Sequence, residues 1–198
     1  MKASFAESRA AHLLFRLIGL VMESRFRYRF SNPMRILKAT GIRPGQEVLE
    51  VGCGTGFFTI PAARLVGEEG CIYALDPHPL AMEEVAGKLR DAGLTNVRLI
   101  RGDATAAGLV SGSVDLILLL GVVPSPTLPL DQLLLEMSRL LRSEGTLAVS
   151  TALPWWSPAS VTQGALFDYA GRRSRIHSYR KATELSHRAV RQRTDLEG

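Results

Sequence analysis

The residues best placed for chemistry form a glycine-rich loop that directly follows a short apolar strand. Residues 47–51 are that strand, and residues 52–56 then read Gly-Cys-Gly-Thr-Gly before a helical pattern begins. Glycine allows a tight turn and lets a ligand approach the backbone at the start of a helix. Glu50 adds a carboxylate at the strand end, where it would repel a pyrophosphate and attract an ammonium or sulfonium group. The loop therefore predicts a binding site for a cationic ligand.

Two further carboxylates follow the next two predicted strands. Asp76 comes 24 residues after Gly52, which is about where a carboxylate takes the two hydroxyls of a ribose. Asp103 lies just beyond the third strand, where it is able to accept a hydrogen bond from an adenine amine. Because the carboxyl ends of neighbouring parallel strands meet at one edge of a sheet, we expect Glu50, Asp76 and Asp103 to surround one ligand.

The signatures of two other nucleotide-binding classes are missing. The dinucleotide fingerprint needs glycine at the sixth position counted from Gly52, and Phe57 occupies it. No Lys-Ser or Lys-Thr pair follows the glycines, so the loop is not one that cradles phosphates. No tyrosine has a lysine four positions later, so the short-chain dehydrogenase pair is also missing. These observations argue against a nicotinamide-dependent oxidoreductase.

Strand and helix patterns alternate through the middle of the chain. The predicted strands are 47–51, 71–75, 97–101, 114–120 and 146–151, and the predicted helices are 57–66, 80–92 and 130–141. Such alternation implies right-handed crossovers and a parallel sheet covered by helices on both faces. Residues 157–167 are predicted to form another helix and residues 175–181 a late edge strand. The predicted fold class is α/β, with a doubly wound, mostly parallel, Rossmann-like sheet in a single domain.

These motifs resemble those of the class I S-adenosylmethionine-dependent methyltransferases over roughly residues 33–152. The segments that carry the resemblance are Glu50-Val51-Gly52-Cys53-Gly54-Thr55-Gly56, Ala74-Leu75-Asp76, Gly102-Asp103-Ala104 and Val114-Asp115-Leu116-Ile117-Leu118. Within that superfamily the chain is most similar to the ubiquinone/menaquinone-type methyltransferases of small molecules and lipids. The resemblance implies S-adenosylmethionine as cofactor. It also implies the strand order 3-2-1-4-5 with an antiparallel addition at the strand-5 edge.

The resemblance also assigns roles to single residues. The glycine loop would contact the methionine part of the cofactor, Asp76 the ribose and Asp103 the adenine. Pro77 and His78 would flank the nucleoside, and residues 120–121 would line the methionine end. The implied cofactor-binding residues are Glu50, Gly52, Cys53, Gly54, Gly56, Asp76, Pro77, His78, Asp103, Ala104, Leu120 and Gly121.

The loop after the fourth strand faces the methyl acceptor in this architecture. Residues 121–126 are apolar and stiffened by two prolines. Relatives that methylate the amines of nucleic-acid bases carry an Asn/Asp-Pro-Pro-aromatic motif there, and its absence disfavours such bases, DNA included. No acidic cluster supports a magnesium-dependent catechol enzyme. We therefore expect methyl transfer to a small, hydrophobic or lipid-like acceptor, which Trp155 and Trp156 are candidates to cover.

Catalysis by positioning is expected, because the cofactor brings its own activated leaving group. In-line displacement then gains about 7–11 kcal/mol from orientation alone. If the acceptor is an amine or a hydroxyl, His177, Tyr179 and Tyr169 are the candidates to remove its proton. Two alternatives stay open from the residues: an RNA-directed methyltransferase, and a non-catalytic protein that binds S-adenosylmethionine.

Charge divides the chain of 198 residues into an acidic middle and two basic ends. Basic side chains exceed acidic ones by five over residues 1–35 and again over residues 171–198, whereas acidic ones exceed basic ones by five between them. The composition, 46% hydrophobic and 22% charged, is that of one globular domain. We predict a basic amphipathic helical arm over residues 1–31, a cofactor-binding domain over residues 32–182, and a basic, flexible tail over residues 183–198.

The sequence also carries expectations about location. Two cysteines and four widely separated histidines make neither a disulfide framework nor a zinc site, which indicates a reducing compartment and no metal. Residues 13–22 are about half as long as a membrane-spanning helix and are not followed by a cleavage site. Residues 8–30 combine an apolar helical face with five arginines, which suits either an anionic bilayer or a lid over the cofactor. The protein is thus expected to be cytoplasmic and peripheral to the inner face of the membrane.

Overall fold

The computed structural model describes residues 32–125, 128–151 and 157–182. The α-helices of these ranges are α1 (Pro33–Thr40), α2 (Thr59–Val66), α3 (Pro79–Ala92) and α4 (Leu130–Leu140), and short 3₁₀ turns occupy Ala104–Ala106 and Pro158–Val161. The strands are β1 (Glu47–Val51), β2 (Cys71–Asp76), β3 (Val97–Arg101), β4 (Val114–Leu120), β5 (Leu141–Ser150), β6 (Phe167–Arg173) and β7 (Ile176–Lys181).

One sheet joins these strands in the order β3-β2-β1-β4-β5-β7-β6. The first five strands run parallel, β7 pairs antiparallel with β5, and β6 pairs antiparallel with β7. The predicted α/β class, the order 3-2-1-4-5 and the antiparallel addition beside strand 5 are all confirmed. Glu50 of β1 pairs with Ala74 of β2 and Leu118 of β4, so the carboxyl ends of these three strands lie side by side.

Helices cover the sheet on both faces because successive strand residues point to opposite sides. On one face, α1, α2 and α3 bury Leu37, Val66 and Val85 against strand residues such as Leu116 and Leu118. On the other face, α4 buries its apolar side against alternate strand residues, a cluster that includes Leu49, Ile117, Leu119, Leu133, Met137 and Leu147. Central strands whose side chains are apolar on both faces of the sheet are typical of a sheet that is buried on two faces.

Local sequence signals set the ends of α1 and α3. Asn32 caps α1 by accepting a hydrogen bond from the backbone N–H of Arg35 at 3.3 Å, and Pro33 occupies the first turn. α1 stops at Gly41 and α3 stops at Gly93, both in the left-handed conformation that glycine adopts without strain. The elements on either side of the site therefore have bounds that their own residues specify.

β5 begins five residues earlier than the predicted strand at 146–151. Leu141 pairs with Val114, but the next pair is Thr146 with Leu116, so three extra residues of β5 are accommodated between the two pairs. A Cβ at Gly145 would approach the backbone carbonyl oxygen of Arg142 to 2.9 Å, so this irregularity favours glycine.

The predicted helix over residues 157–167 is wrong. Only Pro158–Val161 forms a 3₁₀ turn, and Phe167 begins β6. Gly164, together with Ala165 and its positive φ of 54°, interrupts any helix between the 3₁₀ turn and Phe167. Phe167 is buried beside Tyr179 in the core, and antiparallel pairing with β7 makes the segment a strand. The predicted late edge strand begins at Ile176 and is interior, because β6 lies outside it.

Several predicted features lie outside the described residues. These are the basic arm over residues 1–31, the tail over residues 183–198, Pro126, and the pair Trp155 and Trp156. Within the ranges that the structure describes, every helix is too short or too polar to cross a membrane.

Candidate functional site

The glycine loop leaves β1 and folds back onto the end of β2. Gly52 has a φ of 73°, and the backbone N–H groups of Gly52 and Cys53 both donate to the carbonyl of Leu75, at 2.7 and 3.1 Å. A Cβ at Gly52 would come within 2.9 Å of Val122 Cγ2 in the loop after β4. Glycine is thus required at this position both for its backbone conformation and for the close approach of the neighbouring loop.

Asp76 ties the loop to the end of β2 through both of its carboxylate oxygens. One oxygen accepts from the backbone N–H of Gly54 at 3.0 Å and the other from that of His78 at 2.9 Å. Only 8% of Asp76 is exposed. A carboxylate offers about four acceptor positions, so two remain for the hydroxyls of a ribose. The structure thus fixes this side chain through two backbone donors, and its role toward a ribose stays a prediction.

Glu50 is buried at the end of β1 beneath the loop. Its exposed fraction is 3%, and its Oε2 accepts a hydrogen bond from the Thr59 hydroxyl at 2.7 Å. Burial, aided by the nearby charge of Asp76 and opposed by the Thr59 hydrogen bond, raises the pKa of Glu50 from 4.5 to about 8. A cation bound beside this carboxyl would lower that pKa again, because the charged form would then be stabilised. The site is therefore suited to a positively charged ligand.

Cys53 lies within the loop as a neutral thiol. Its side chain is buried, and burial followed by the charges of Glu50 and Asp76 raises its pKa well above the usual range. The thiolate is the nucleophilic form of cysteine, so this residue is unsuited to attack a methyl donor. Its contribution to the site is the backbone conformation and the packing of the loop.

Asp103 follows β3 on the adjoining side of the site. Its Oδ1 accepts from both the backbone N–H and the hydroxyl of Thr105, each at 2.8 Å, and thereby caps a short turn that buries Ala104. The backbone N–H of Gly102 donates to the carbonyl of Asp76, which links the ends of β2 and β3. The predicted acidic residues thus occupy the carboxyl ends of three adjacent strands.

His78 and Pro77 lie between β2 and α3. Nδ1 of His78 accepts from the backbone N–H of Leu80 at 3.2 Å, so the imidazole caps α3, while Pro77 is exposed. At the end of β4, the backbone N–H of Gly121 donates to the carbonyl of Ser150 at 2.7 Å. Leu120 and Gly121 therefore lie at the carboxyl ends of the strands, as the glycine loop does.

The three candidate proton acceptors share the antiparallel end of the sheet. Tyr169 of β6 pairs with Tyr179 of β7, and the Tyr169 and His177 rings are 6.0 Å apart between centroids. Tyr179 is fully buried, and burial together with the charge of Tyr169 raises its pKa to about 12. Burial, followed by the charge of Arg172, lowers the pKa of His177. Tyr169 is 53% exposed.

Three contacts of the site are missing from the sequence predictions. Thr59 holds the Glu50 carboxyl, Val122 closes over Gly52, and Lys88 of α3 donates to the carbonyl of Thr55 at 2.7 Å. The position of Thr59 three residues after the last loop glycine was a local signal for the first of these. The other two contacts join segments distant in the chain. Across the described ranges, no group of three or more His, Cys, Asp or Glu side chains is arranged to hold a metal ion.

The chain matches known methyltransferases over the region that contains this site. Residues 48–145 match a family described as a methyltransferase domain. The aklanonic acid methyltransferase DauC of Streptomyces sp. (strain C5) is 34% identical over 96 residues, which are 48% of this chain and 44% of that protein. A demethylmenaquinone methyltransferase of Staphylococcus aureus (strain MRSA252) is 33% identical over 114 residues, 56% of this chain and 45% of that protein. The match thus spans less than half the length of either relative.

A solved structure supports the fold over a larger part of the chain. An S-adenosylmethionine-dependent methyltransferase from Aquifex aeolicus superposes with a TM-score of 0.68 at 21% identity, covering 81% of this chain and 94% of that one. The described residues also fit the cofactor, because a cationic and ribose-bearing ligand matches the acceptors that the loop and strand ends provide. Residues 48–145 thus match a methyltransferase domain, the fold is that of the class I S-adenosylmethionine-dependent methyltransferases, and S-adenosylmethionine is the cofactor that the site fits.

Proposed function

We propose that this chain transfers a methyl group from S-adenosylmethionine to a small, hydrophobic acceptor. The observation that carries the proposal is the set of carboxylates at the ends of β1, β2 and β3 around a loop with positive-φ glycines. Glu50 would face the positively charged methionine end, Asp76 the ribose, and Asp103 with Ala104 the adenine. The acidic lining favours a ligand with a ribose and a positively charged end over one that carries a pyrophosphate.

The chain's own part in the reaction is to bind and orient. When bound, the cofactor supplies a methyl group on a sulfonium, which is an activated leaving group for in-line displacement. The backbone of residues 52–56 and the fixed Asp76 carboxylate hold the donor, and the loop after β4 limits the directions from which an acceptor approaches. Orientation of the two reactants is worth about 7–11 kcal/mol, so no further catalytic group is mandatory.

The acceptor class follows from the loop after β4 and from the relatives. Val122 lies close to the glycine loop and Val123 is buried, which supports an apolar boundary beside the donor. The two curated relatives are named for methylation of aklanonic acid and of demethylmenaquinone. Both names support a small organic acceptor.

We assign proton removal, where the acceptor is a hydroxyl or an amine, to His177. Leu119, Val149 and His177 lie in one cross-strand row, so His177 is two strand spacings, about 10 Å, from the end of β4. Its Nδ1 is buried, and none of the described residues hydrogen-bonds to it. Its lowered pKa keeps the ring neutral at pH 7, the form that accepts a proton. Tyr179, buried and protonated, is better suited to packing.

The test is methyl transfer from labelled S-adenosylmethionine by the full chain to three classes of acceptor: a reduced naphthoquinone, small aromatic acids, and transfer RNA. We expect label in the quinol or the acids. Label in RNA alone would support the RNA-directed alternative, and tight cofactor binding without transfer to any acceptor would support the non-catalytic one.

The role of His177 is tested separately by His177→Ala, with Tyr169→Phe as the matched control on the neighbouring strand. We expect His177→Ala to lower kcat at least tenfold, to remove the acidic limb of the pH–rate profile, and to leave the KM for the cofactor unchanged. A proportional loss at every pH in both variants would indicate a packing role instead.

The source of a hydrophobic acceptor is proposed to be an anionic membrane surface. Residues 8–30 lie outside the described residues, so this proposal rests on their five arginines and apolar pattern. Each basic side chain near such a surface contributes about 1 kcal/mol. Replacement of Arg25, Arg27 and Arg29 by glutamine should release the chain from anionic vesicles at low salt. Equal sedimentation of the variant and the unaltered chain would contradict the proposal.

A further inference from the structure

An open groove lies at the amino ends of the central strands, whereas the cofactor site lies at their carboxyl ends. Its volume is about 740 Å³, and it runs from the end of α1 across the first residues of β4 and β5 to the β6–β7 hairpin. Gln46 precedes β1 and Asp115 is the second residue of β4, so the groove lies at the amino ends of these strands. The cofactor-binding residues lie at the carboxyl ends of the same strands. The two sites are thus separated by the length of the sheet.

Arginine dominates the lining of this groove. The five arginines are Arg43, Arg142, Arg172, Arg173 and Arg180, and the two acidic residues are Asp115 and Glu144. Each acid already has a partner, since Asp115 pairs with Arg142 and Glu144 pairs with Arg180 at 3.7 Å. Three arginines therefore exceed the acids of the groove. Unlike the acidic middle of the chain as a whole, this surface is strongly positive.

The fold, and not a local run of sequence, builds this cluster. Arg43 follows α1, Arg142 lies on β5, and Arg173 and Arg180 lie on the two strands of the hairpin. Arg180 is held by a hydrogen bond to the carbonyl of Glu144 at 3.0 Å, and the Arg172 Nε donates to the carbonyl of Ser174 at 2.7 Å. Several of these guanidinium groups are thus oriented by contacts within the chain. Among the described residues, no acidic side chain pairs with Arg43, Arg172 or Arg173.

The rest of the lining consists mainly of small residues, several of them polar, together with Leu116. Hydroxyl and amide groups come from Thr40, Gln46, Ser143, Thr146 and Ser178, and none of the lining residues is aromatic. Arginine presents a planar fork of donors that matches the oxygens of a phosphate group two at a time. A groove of this volume is in the range of small-molecule sites, which span roughly 300–1,000 Å³. Single-stranded RNA is less well matched, because its recognition relies on aromatic side chains that stack on bases.

We propose that this groove binds a small, soluble, phosphate-bearing molecule with at least two negative charges, such as a diphosphate. Its binding is independent of the proposed methyl transfer. Because the groove and the cofactor site are at opposite ends of the strands, both ligands bind at the same time.

The test is calorimetric titration of the full chain with inorganic pyrophosphate at low ionic strength. We expect saturable binding of one pyrophosphate per chain, with the same affinity in the presence of saturating S-adenosylhomocysteine. The double variant Arg43→Gln/Arg173→Gln should weaken pyrophosphate binding at least tenfold. The matched control is Arg64→Gln/Arg90→Gln, which removes the same charge from α2 and α3 outside the groove and should change the affinity less than twofold.

Binding of S-adenosylhomocysteine within twofold of the unaltered chain shows that both double variants are folded. If both double variants bound pyrophosphate equally weakly, the effect would come from the net charge of the chain, and the proposal would be overturned. Displacement of pyrophosphate by S-adenosylhomocysteine would also overturn it. Binding of duplex RNA or of phosphatidic acid vesicles, where pyrophosphate shows no saturable binding, would overturn it as well. In that case the groove would be a surface for a larger polyanion.

Discussion

The strands of one sheet end in acidic side chains at their carboxyl ends, the acidic edge, and begin beside basic side chains at their amino ends, the basic edge, and the two sets are held in different ways. At the carboxyl ends of the strands, Glu50 and Asp76 are 3% and 8% exposed, and Asp76 is fixed by backbone N–H donors. At the amino ends, the side chains of Arg142 and Arg180 are 47% and 54% exposed and reach their partners from long, flexible stems. An electrostatic interaction is stronger where water is excluded, so single changes at the acidic edge should have larger effects than single changes at the basic one.

The largest effect is expected from Asp76→Ala on cofactor binding. The change removes two charge-assisted hydrogen bonds to a ribose, each worth about 1.5–3 kcal/mol. It also leaves the N–H groups of Gly54 and His78 without their acceptor, so the loop loses its attachment to β2. We expect the affinity for S-adenosylhomocysteine to fall by about 3 kcal/mol or more, which is about 100-fold or more. Calorimetry measures this directly.

Asp76→Asn is the control, because the amide oxygen keeps one acceptor for the loop. This variant should bind with an affinity between those of Asp76→Ala and the unaltered chain. Unchanged affinity in Asp76→Ala, or binding of NAD by any of the three proteins, would contradict the assigned site.

The second prediction concerns Glu50 and the pH dependence of stability. Its pKa is raised from 4.5 in the unfolded chain to about 8 in the folded one, so the native state binds its proton more tightly. The stability that this proton provides is complete below pH 4.5 and is lost as the pH rises toward 8. Glu50→Gln keeps an acceptor for Thr59 and removes this dependence. Relative to the unaltered chain, the variant should gain up to about 1.4 kcal/mol per pH unit across that window.

Denaturant unfolding of the cofactor-free chain between pH 4.5 and 8 gives the measurement. Glu144→Gln, on the exposed side of the basic groove, is the matched control and should show no such trend. A constant difference between Glu50→Gln and the unaltered chain at every pH would show that the buried carboxyl is ionised throughout.

The residues of the acidic edge could be predicted from the sequence far better than those of the basic edge. Gly52, Glu50 and Asp76 lie in or next to short local patterns, and each buried strand is an apolar run that ends at a glycine or an acid. The strands β1, β3 and β4 accordingly have their predicted bounds. Contacts such as Val122 over Gly52 depend on how distant loops meet, and no local pattern indicates them.

The antiparallel end of the sheet was predicted least well. In β6 only Phe167 is buried, so the strand has no apolar alternation to distinguish it from a helix or a loop. Its conformation comes from pairing with β7, which is a tertiary effect that outweighs local preference. The arginine groove depends on the same hairpin and combines residues as far apart as Arg43 and Arg180. The charge of the C-terminal region was evident from the sequence, but its convergence on one surface was not.

The third prediction separates two glycines of the acidic edge. Gly52 and Gly54 both have positive φ, of 73° and 53°, but only a Cβ at Gly52 would meet a neighbour, Val122 Cγ2 at 2.9 Å. Gly54→Ala should therefore cost about 1 kcal/mol of backbone strain. Gly52→Ala adds a steric conflict, and we expect it to cost about 2–3 kcal/mol. Thermal unfolding measures both, and equal losses would show that the loop after β4 moves away freely.

The smallest effect is expected at the basic edge, from Arg142→Gln. Arg142 pairs with Asp115, whose Oδ2 also accepts from the backbone N–H of Glu47 at 2.8 Å at the start of β1. The ion pair is partly solvated, with side chains 47% and 25% exposed, so its loss should cost about 0.2–1 kcal/mol and less at high salt. Asp115→Ala should cost more, because the N–H of Glu47 then loses its acceptor in a part-buried setting. Denaturant unfolding at 20 mM and 500 mM salt, chosen as roughly two extremes of screening, distinguishes the loss of the ion pair from the loss of the hydrogen bond. A salt-independent loss for Arg142→Gln as large as that of Asp115→Ala would mean that this arginine is as rigidly held as the carboxylates at the other edge, and the contrast between the two edges would not hold.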